Sequence, residues 1–572
     1  MQVLGVMILE ISPNKRMPYS CIELYNMVAM ELRRPFDAII KSLYEGRMQD
    51  IEWMVTSPLS RNPFGSYLFH YIVTFKLIQR MIERGESIDE IVTDSVAQKK
   101  IIRTWLKSQG LTIRVSLKNT FASVFKKRFL PLYRLIYCIA KNLWTFYQVR
   151  KTQSKKNVLP LEKLTLIDTY ITDSFTDKEQ YYPGLCERLS TKEQRSVFFV
   201  PTFHIYGLKS ISSYIRRAHN AKEQFIFKED YLRLSDYLYA WGNALRPCRM
   251  NVAPTLFESI DIAPLVREEI QNLQGYYSAV GALLNLRFAK RLKNAGIQLR
   301  RVINWFENQV VDKGWNAAFN KLFPETLSKG YCGFVASPLY LNLYPTQYEK
   351  EANLLPKTVC VMGQGLKGMV NTFCDELSVE VAPAFRFQHL WEERKYYANN
   401  DFFTTLVALP YNPVQACDLM NIINYLVSHQ NRGVRYWIKP HPTSSDKKIK
   451  QILGMPSNIV SVKREAFAEV VERSDVLVTA YSNTAIETIA KGIPVIVVGN
   501  KLGFTHNSIP KTITDDIWRL CYTPEEVQCA IEFYQTRSSE KIKEHEEAGR
   551  RIREEYFKPV TREGVREFLE LE

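Results

Sequence analysis

No Cys-x-x-Cys pair occurs among the ten cysteines, which are scattered through 572 residues rather than set at framework spacings. That excludes a zinc ribbon or a disulfide scaffold, and a chain of this length needs no covalent staples. Reduced thiols in the cytoplasm are the expected setting. No apolar run reaches the ~20 residues that a membrane-spanning helix requires. Met1 to Leu9 is apolar, but no basic leader accompanies it and Glu10 follows, so neither a signal peptide nor a span is expected there. No repeat of fixed period and no long low-complexity tract occurs, which excludes solenoid architectures. The most informative absence is one of charge: not a single Asp or Glu lies between Asp94 and Glu162.

That interval carries fifteen Lys and Arg residues, and outside it the chain has 61 basic against 60 acidic residues. The net charge of +16 therefore belongs to one patch. A localised positive field attracts polyanions, whether an anionic membrane surface, nucleic acid or a charged glycan. No nucleic-acid recognition module accompanies it. Within the patch, residues from Pro131 onward have a helical period. Leu132, Ile136, Ile139, Leu143, Phe146 and Tyr147 fall on one side, and Arg134, Lys141, Thr145 and Gln148 on the other. Pro131 suits a helix start, and Lys126 to Arg128, with four basic residues after the helix, flank it. Two readings stand: an amphipathic helix lying in the headgroup layer of an anionic membrane, or a helix packed on its own domain with a solvated basic face.

With 46% hydrophobic and 12% aromatic residues the chain is a folded protein of two to four structural units. Short β-rich runs alternate with helix-period runs, which predicts an α/β class with parallel strands. In the first part the expected strands are Ile51 to Thr56, Glu90 to Thr93, Leu111 to Val115, Leu164 to Tyr170, Ser196 to Pro201, Lys357 to Met362 and Val379 to Pro383. Helices are expected over Ser66 to Arg84, up to Gly110, and through most of Phe225 to Phe323. The alternation breaks over residues 119–160, the basic insertion. Residues 391–400 read as a linker between an acceptor-side domain, 1–390, and a nucleotide-binding domain, 401–572. The second domain has five clean strand candidates, Thr404 to Leu409, Val434 to Ile438, Ile459 to Val462, Val476 to Thr479 and Val495 to Val498. Two doubly wound, Rossmann-like domains facing across a cleft would bind ligands at the carboxyl ends of their strands.

Two stretches of the second domain carry chemistry. Lys439, Pro440, His441 and Pro442 follow a strand, so a cation and an imidazole sit on a proline-restricted turn where a phosphate would lie. Ser482, Asn483 and Thr484 open a helix after another strand, where unpaired N–H groups and the helix dipole favour an anion; plain capping by Ser482 explains the same residues. Glu487, one turn on, is placed to reach ribose hydroxyls or else lies on a solvated face. In the first domain, Glu307 and Asp168, the latter expected at the end of the strand Thr-Leu-Ile-Asp-Thr, are candidate general bases. His204 and the turn with Arg61 and Asn62 are candidates for the acceptor cleft.

Lys-Pro-His-Pro together with Ser-Asn-Thr-Ala-Ile-Glu-Thr-Ile-Ala-Lys-Gly-Ile-Pro-Val resembles the donor-domain signature of bacterial capsule and O-antigen transferases. The resemblance is to Kdo transferases, polysialyltransferases and the CDP-glycerol polymerases of teichoic acid synthesis. Val379 to Leu390 is similar to the segment that leads into their donor domain. Arg301 to Trp315, with Asn-Trp-Phe-Glu-Asn-Gln near its start, resembles an acceptor-domain glutamate motif of surface-carbohydrate enzymes. The resemblance implies the GT-B arrangement and a nucleotide-sugar donor, CMP-linked by preference, with no separate cofactor and no metal. It implies that His441, Ser482 and Asn483 hold the donor phosphate and Glu487 the ribose; Lys439 and Thr484, from the turn and the helix start, complete the expected phosphate site, and His441 is also a catalytic candidate. A lipid-linked or oligosaccharide acceptor is expected, and a cytoplasmic setting, peripheral on the inner face of the inner membrane where the basic helix meets lipid. A nucleotide-sugar epimerase, a polyol-phosphate transferase and a non-catalytic scaffold of a glycan assembly complex are the competing readings.

Overall fold

The computed structural model describes residues 7–118, 121–152, 163–205, 207–392, 402–429, 433–441, 459–480, 482–514 and 516–571, the side chains of 121–128 and 209 excepted. Three parallel sheets carry the fold. The smallest contains β1 (Ile8–Glu10), β2 (Glu90–Thr93) and β3 (Arg114–Leu117) in that order. The second is built from β4 (Leu164–Thr172), β5 (Val197–His204), β8 (Leu299–Trp305), β9 (Leu327–Cys332), β10 (Thr358–Val361) and β11 (Ser378–Val381), with a short hairpin, β6 (Leu256–Phe257) and β7 (Ile260–Asp261), outside it. The third comprises β12 (Phe403–Ala408), β13 (Val434–Lys439), β14 (Val460–Val462), β15 (Val476–Thr479), β16 (Val495–Val498) and β17 (Trp518–Cys521).

The strand orders are β11-β10-β9-β8-β4-β5 and β14-β13-β12-β15-β16-β17, every pair parallel. Each order reverses direction once, between β4 and β8 in the first and between β12 and β15 in the second. In open parallel sheets the loops diverge at such a reversal and leave a crevice at the carboxyl ends. Two doubly wound parallel sheets of an α/β fold are what the sequence leads one to expect; the separate three-stranded sheet of β1, β2 and β3 is an addition to them. The strands β15 and β16 are buried throughout, as their unbroken Val-Leu-Val-Thr and Val-Ile-Val-Val runs demand of a sheet covered on both faces.

The chain does not end where the third sheet ends. After the helix Ser539–Tyr556 it returns to the second sheet: Lys558 N donates to Met362 O at 2.6 Å, and Ala384 N donates back to Lys558 O at 2.8 Å. Phe568 then packs among Tyr182, Tyr331 and Phe385. One apolar core consequently runs from Trp305 and Tyr331 through Phe385 to Leu477, Ile486 and Val497.

Three expectations are corrected. Ile51 to Thr56 is not a strand: Asp50 caps a one-turn helix, Ile51–Met54, by accepting from Trp53 N, and Trp53 is buried with its indole N–H on Leu43 O. The local cap outweighs the β-rich composition. Leu299–Trp305, inside the stretch read as mainly helical, is a central strand. Pro131 does not open its helix but lies inside one that spans Phe121–Thr152, at the loss of one backbone hydrogen bond. This helix is also turned opposite to the solvated-basic-face reading: Lys141, Thr145 and Gln148 face the protein and are buried. The linker 391–400 lies outside the described residues from 393 onward.

Candidate functional site

At the reversal of the third sheet, β12 ends at Ala408 and leads into Pro410-Tyr411-Asn412-Pro413. Asn412 Oδ1 accepts from Val414 N at 2.9 Å and caps the helix Pro413–Ser428. Pro413 sits at a position that needs no N–H, so the loop is tight by composition. A cavity of about 400 Å³ opens beside it. Tyr411, Asn412 and Asp418 form one wall, Ala480 after β15 the back, and Asn500, Thr505 and His506 the other wall, with Phe64 reaching in from the first half. That volume is in the range of small-molecule and nucleotide pockets.

Both halves build this cleft. The loop after β16 is fastened to the first half by Met17 N on Lys501 O (2.9 Å), Thr505 N on Asn26 Oδ1 (2.7 Å) and Asn507 N on Ser337 Oγ (3.2 Å). Phe504 stacks 5.1 Å from Tyr25 and 5.0 Å from Phe69, and Arg16 pairs with Asp418. His506, ringed by Phe64, Phe504 and Tyr340, is pushed down to about 3 by burial and is neutral at any physiological pH.

At the reversal of the second sheet, β8 ends at Trp305 and Glu307-Asn308-Gln309 turns into the helix Val310–Leu322. Asp312 Oδ2 holds the turn from below, accepting from Gln309 N at 2.9 Å and Glu307 N at 3.1 Å. The carboxylate of Glu307 accepts from Trp305 Nε1 at 2.8 Å and from Gln309 Nε2 at 3.3 Å. Gln309 Nε2 also donates to Tyr340 OH at 3.1 Å, and Gln309 Oε1 accepts from Asn62 Nδ2 at 2.7 Å. Tyr340 stands edge-on to Phe64, centroids 5.3 Å apart, and 6.0 Å from His506. An unbroken series of contacts thus joins Glu307 at one reversal to the cavity at the other.

A second cavity, about 170 Å³, lies at the carboxyl end of β5. It is lined by Tyr170, Thr202, His204, Lys228, Glu229 and Asn285, and by Asn142 and Thr145 of the helix Phe121–Thr152. Lys228 Nζ donates to Thr202 Oγ1 (2.8 Å) and Asn285 Oδ1 (2.9 Å) and stands 4.0 Å from Asp168 Oδ1. Burial pushes both Asp168 and Glu229 up to about 7, Lys228 opposing the shift in each case. One oxygen of Glu229, Oε2, is buried without a hydrogen-bond partner among the described residues. Burial lowers the His204 pKa, with Lys141 adding to the shift and Asp173 and Glu307 opposing it.

The sequence-derived residues fall into three groups. Glu307, Asn62 and His441 lie at or beside the two reversals. The register pairs Lys439 with Ala408 and Ala408 with Thr479, so the Lys439–His441 turn and the 482–484 segment sit on one sheet edge, flanking the Tyr411 loop about 10 Å apart at two strand spacings. His441 packs 5.5 Å from the Tyr411 ring, and burial lowers its pKa, so it offers a neutral imidazole. Pro442 lies outside the described residues.

In the second group the side chains are engaged elsewhere. Lys439 Nζ turns outward onto Glu465 O at 2.5 Å. Ser482 Oγ accepts from Thr484 N (3.2 Å) and Thr484 Oγ1 (2.8 Å). Asn483 Oδ1 accepts from Val335 N of the first half at 2.9 Å, and Glu487 Oε1 pairs with His389 Nε2 at 2.7 Å. In the third group, Arg61 is not in a cleft but buried on Glu349 at 2.8 Å, and Asp168 lies in mid-strand, because β4 continues to Thr172. His204 closes β5 beside the smaller cavity.

Tyr411, Asn412 and His506, with Phe64 and Tyr340, were not singled out by the sequence, and Gln309 entered only as the last residue of the Asn-Trp-Phe-Glu-Asn-Gln motif. Pro-Tyr-Asn-Pro shortly after the first strand of the doubly wound third sheet, ending in a helix-start signal, is the local signal that points to the cleft. No protein-family model matches the sequence, and no curated protein does. Among solved structures the chain is similar to the N-terminal domain of Candida albicans trehalose-6-phosphate phosphatase, at 10% identity over 73% of this chain and 97% of that one, TM-score 0.43. It is also similar to S. aureus MnaA with UDP (10% identity, 72% and 98% covered, TM-score 0.40) and to Acinetobacter baumannii MurG (11% identity, 72% and 99% covered, TM-score 0.40).

Proposed function

We propose that this chain is a glycosyltransferase that takes a nucleotide-activated sugar in the 400 Å³ cleft and passes the sugar to a hydroxyl presented from the first half. The observation that supports this reading is the series Glu307–Gln309–Tyr340–Phe64/His506, which links the carboxylate at one reversal to the lining of the cleft at the other. In the step we assign, Glu307 takes the proton of the acceptor hydroxyl while its oxygen bonds to the anomeric carbon. The bond from that carbon to the donor phosphate breaks, and its electrons leave with the nucleotide. Trp305 and Gln309 orient the carboxylate. His441 and the backbone around Ser482 hydrogen-bond the departing phosphate, the function such groups serve in stabilising charge as it develops.

The donor we assign is a CMP-linked acidic sugar, Kdo among them, and the acceptor a bacterial surface glycan assembled in the cytoplasm. The Lys-Pro-His-Pro and Ser-Asn-Thr-Ala-Ile-Glu motifs support that choice. The test is incubation with nucleotide sugars, with and without glycan acceptor, following nucleotide release. Acceptor-dependent release is expected, and Glu307→Gln lowers kcat by about 10²–10⁴ with donor affinity kept. Isomerisation of donor alone indicates an epimerase instead, and transfer from CDP-glycerol a polyol-phosphate transferase. If none of CMP, CDP, UDP or GDP raises the melting temperature, the enzyme reading fails in favour of a scaffold.

A further inference from the structure

The helix Phe121–Thr152 is inside out. Leu132, Ile136 and Tyr147 are 52%, 58% and 51% exposed, whereas Lys141, Thr145 and Gln148 are 6%, 6% and 8% exposed. Together with Tyr133, Leu143 and Trp144, the exposed residues recur at three- and four-residue steps and fall within a 120° arc of the helix, an apolar stripe on the outer side. From Phe129 to Tyr147 it runs about 27 Å.

The helix cannot roll over to hide this stripe, because polar contacts along its length fix it in place. Arg134 Nη1 donates to Asn272 O (2.5 Å), Trp144 Nε1 to Leu208 O (2.8 Å), and Arg150 to Glu229 O and Leu232 O (both 3.1 Å). Phe146 packs edge-on to Tyr237. An apolar stripe held outward by polar contacts is the reverse of what a helix on the surface of a globular domain needs.

We propose that this face lies on an anionic phospholipid bilayer. Charge selects the occupant: the stripe sits in the interval that has fifteen basic residues and no acidic one. Its carboxyl end carries exposed Lys151, 5.7 Å from the Tyr147 ring, and the neighbouring helix Ile211–Asn220 exposes Arg216. Trp and Tyr at the stripe's border suit the headgroup level, and basic side chains there add attraction to anionic lipid. Among the described residues no helix is long and apolar enough to cross a membrane, so the contact is a surface one. The inner side of the same helix walls the smaller cavity through Asn142 and Thr145. Resting on the transferase reading, this makes the acceptor lipid-anchored, its polar end entering that cavity from the bilayer.

The experiment is sedimentation of the full chain with vesicles of phosphatidylcholine alone or with phosphatidylglycerol added. Wild type is expected to sediment with the anionic vesicles and not with the neutral ones, and to be released by high salt. The triple variant Leu132→Ser, Ile136→Ser, Leu143→Ser, which alters only exposed or outward side chains, is expected to keep its melting temperature and lose about tenfold or more of the binding. Lys151→Gln with Arg216→Gln is expected to weaken it on anionic vesicles only. No wild-type binding, equal binding to neutral vesicles, or undiminished binding by the triple variant overturns the proposal, as does a dimer that the triple variant abolishes without any vesicle binding. Nucleotide-induced melting shifts, measured without vesicles, report on the transferase reading separately.

Discussion

Asn308 Nδ2 donates to Glu349 Oε2 at 3.0 Å, and this bond ties the turn that carries Glu307 to a buried ion cluster. Asn308 has a φ of +48°, a conformation that a non-glycine residue keeps only when its surroundings impose it. Glu349 supplies that imposition. It is fully buried, pairs with Arg61 at 2.8 Å and Lys313 at 2.9 Å, and Lys313 in turn donates to Tyr44 OH. Burial alone would raise the Glu349 carboxyl, but the two cations outweigh it and hold it at about 2.

Glu349→Ala strands two buried cations, and unfolding in denaturant is expected to show a loss of about 3–5 kcal/mol. The pH dependence has a definite sign. Because the folded-state value lies below the ordinary 4.5, the contribution of Glu349 is complete above about pH 4.5 and drains away as the pH falls toward 2. The wild type therefore loses stability across that window more steeply than the variant, as acid titration of the denaturation midpoint would show.

His441→Gln keeps a hydrogen-bond donor, whereas His441→Ala does not. If the imidazole acts as a neutral donor, as its lowered pKa implies, turnover in the Gln variant exceeds that in the Ala variant. The nucleotide-induced melting shift of the wild type is then flat from pH 6.5 to 8. A shift that declines steadily over that range would mean that the protonated ring is the binding form.

Asn412→Ala removes a cap and a wall of the cleft together. A loss of about 1 kcal/mol in global stability is expected from the cap, with a larger drop in nucleotide affinity, read by titrating nucleotide against the melting temperature. Equal affinity in the variant would place the nucleotide elsewhere.

Gly314→Ala tests how tightly the helix behind Glu307 is packed. A Cβ there meets the backbone of Ala282 in the helix Tyr276–Asn294, and backbone does not give way cheaply. Destabilisation of about 1–3 kcal/mol is expected, with slower transfer because the Glu307 turn shifts with its helix.

Much of the second half was legible because its strands are continuous β-branched runs whose meaning does not depend on context. β8 was not: Leu-Arg-Arg-Val-Ile-Asn-Trp contains Arg301, which is buried only because Glu570 arrives from the far end of the chain to meet it. The period of the basic helix was equally plain, yet its orientation depends on carbonyls at Asn272, Leu208 and Glu229, which no local pattern announces. The same holds for the site. Glu307 and His441 stand in distinctive local motifs, whereas Phe64, Tyr340 and His506 come from three distant segments and acquire meaning only once they meet.

The return of the chain to the second sheet gives the molecule two crossings between its halves, one between Trp391 and Phe402 and one near Phe557. The second crossing fixes the halves against sliding, which would tear Lys558 from Met362 and Ala384. It also means that the halves are not separable modules. A fragment ending at the first crossing would leave Tyr331 and Phe385 uncovered where Phe568 belongs, and would be expected to clump unless the missing tail were supplied in trans.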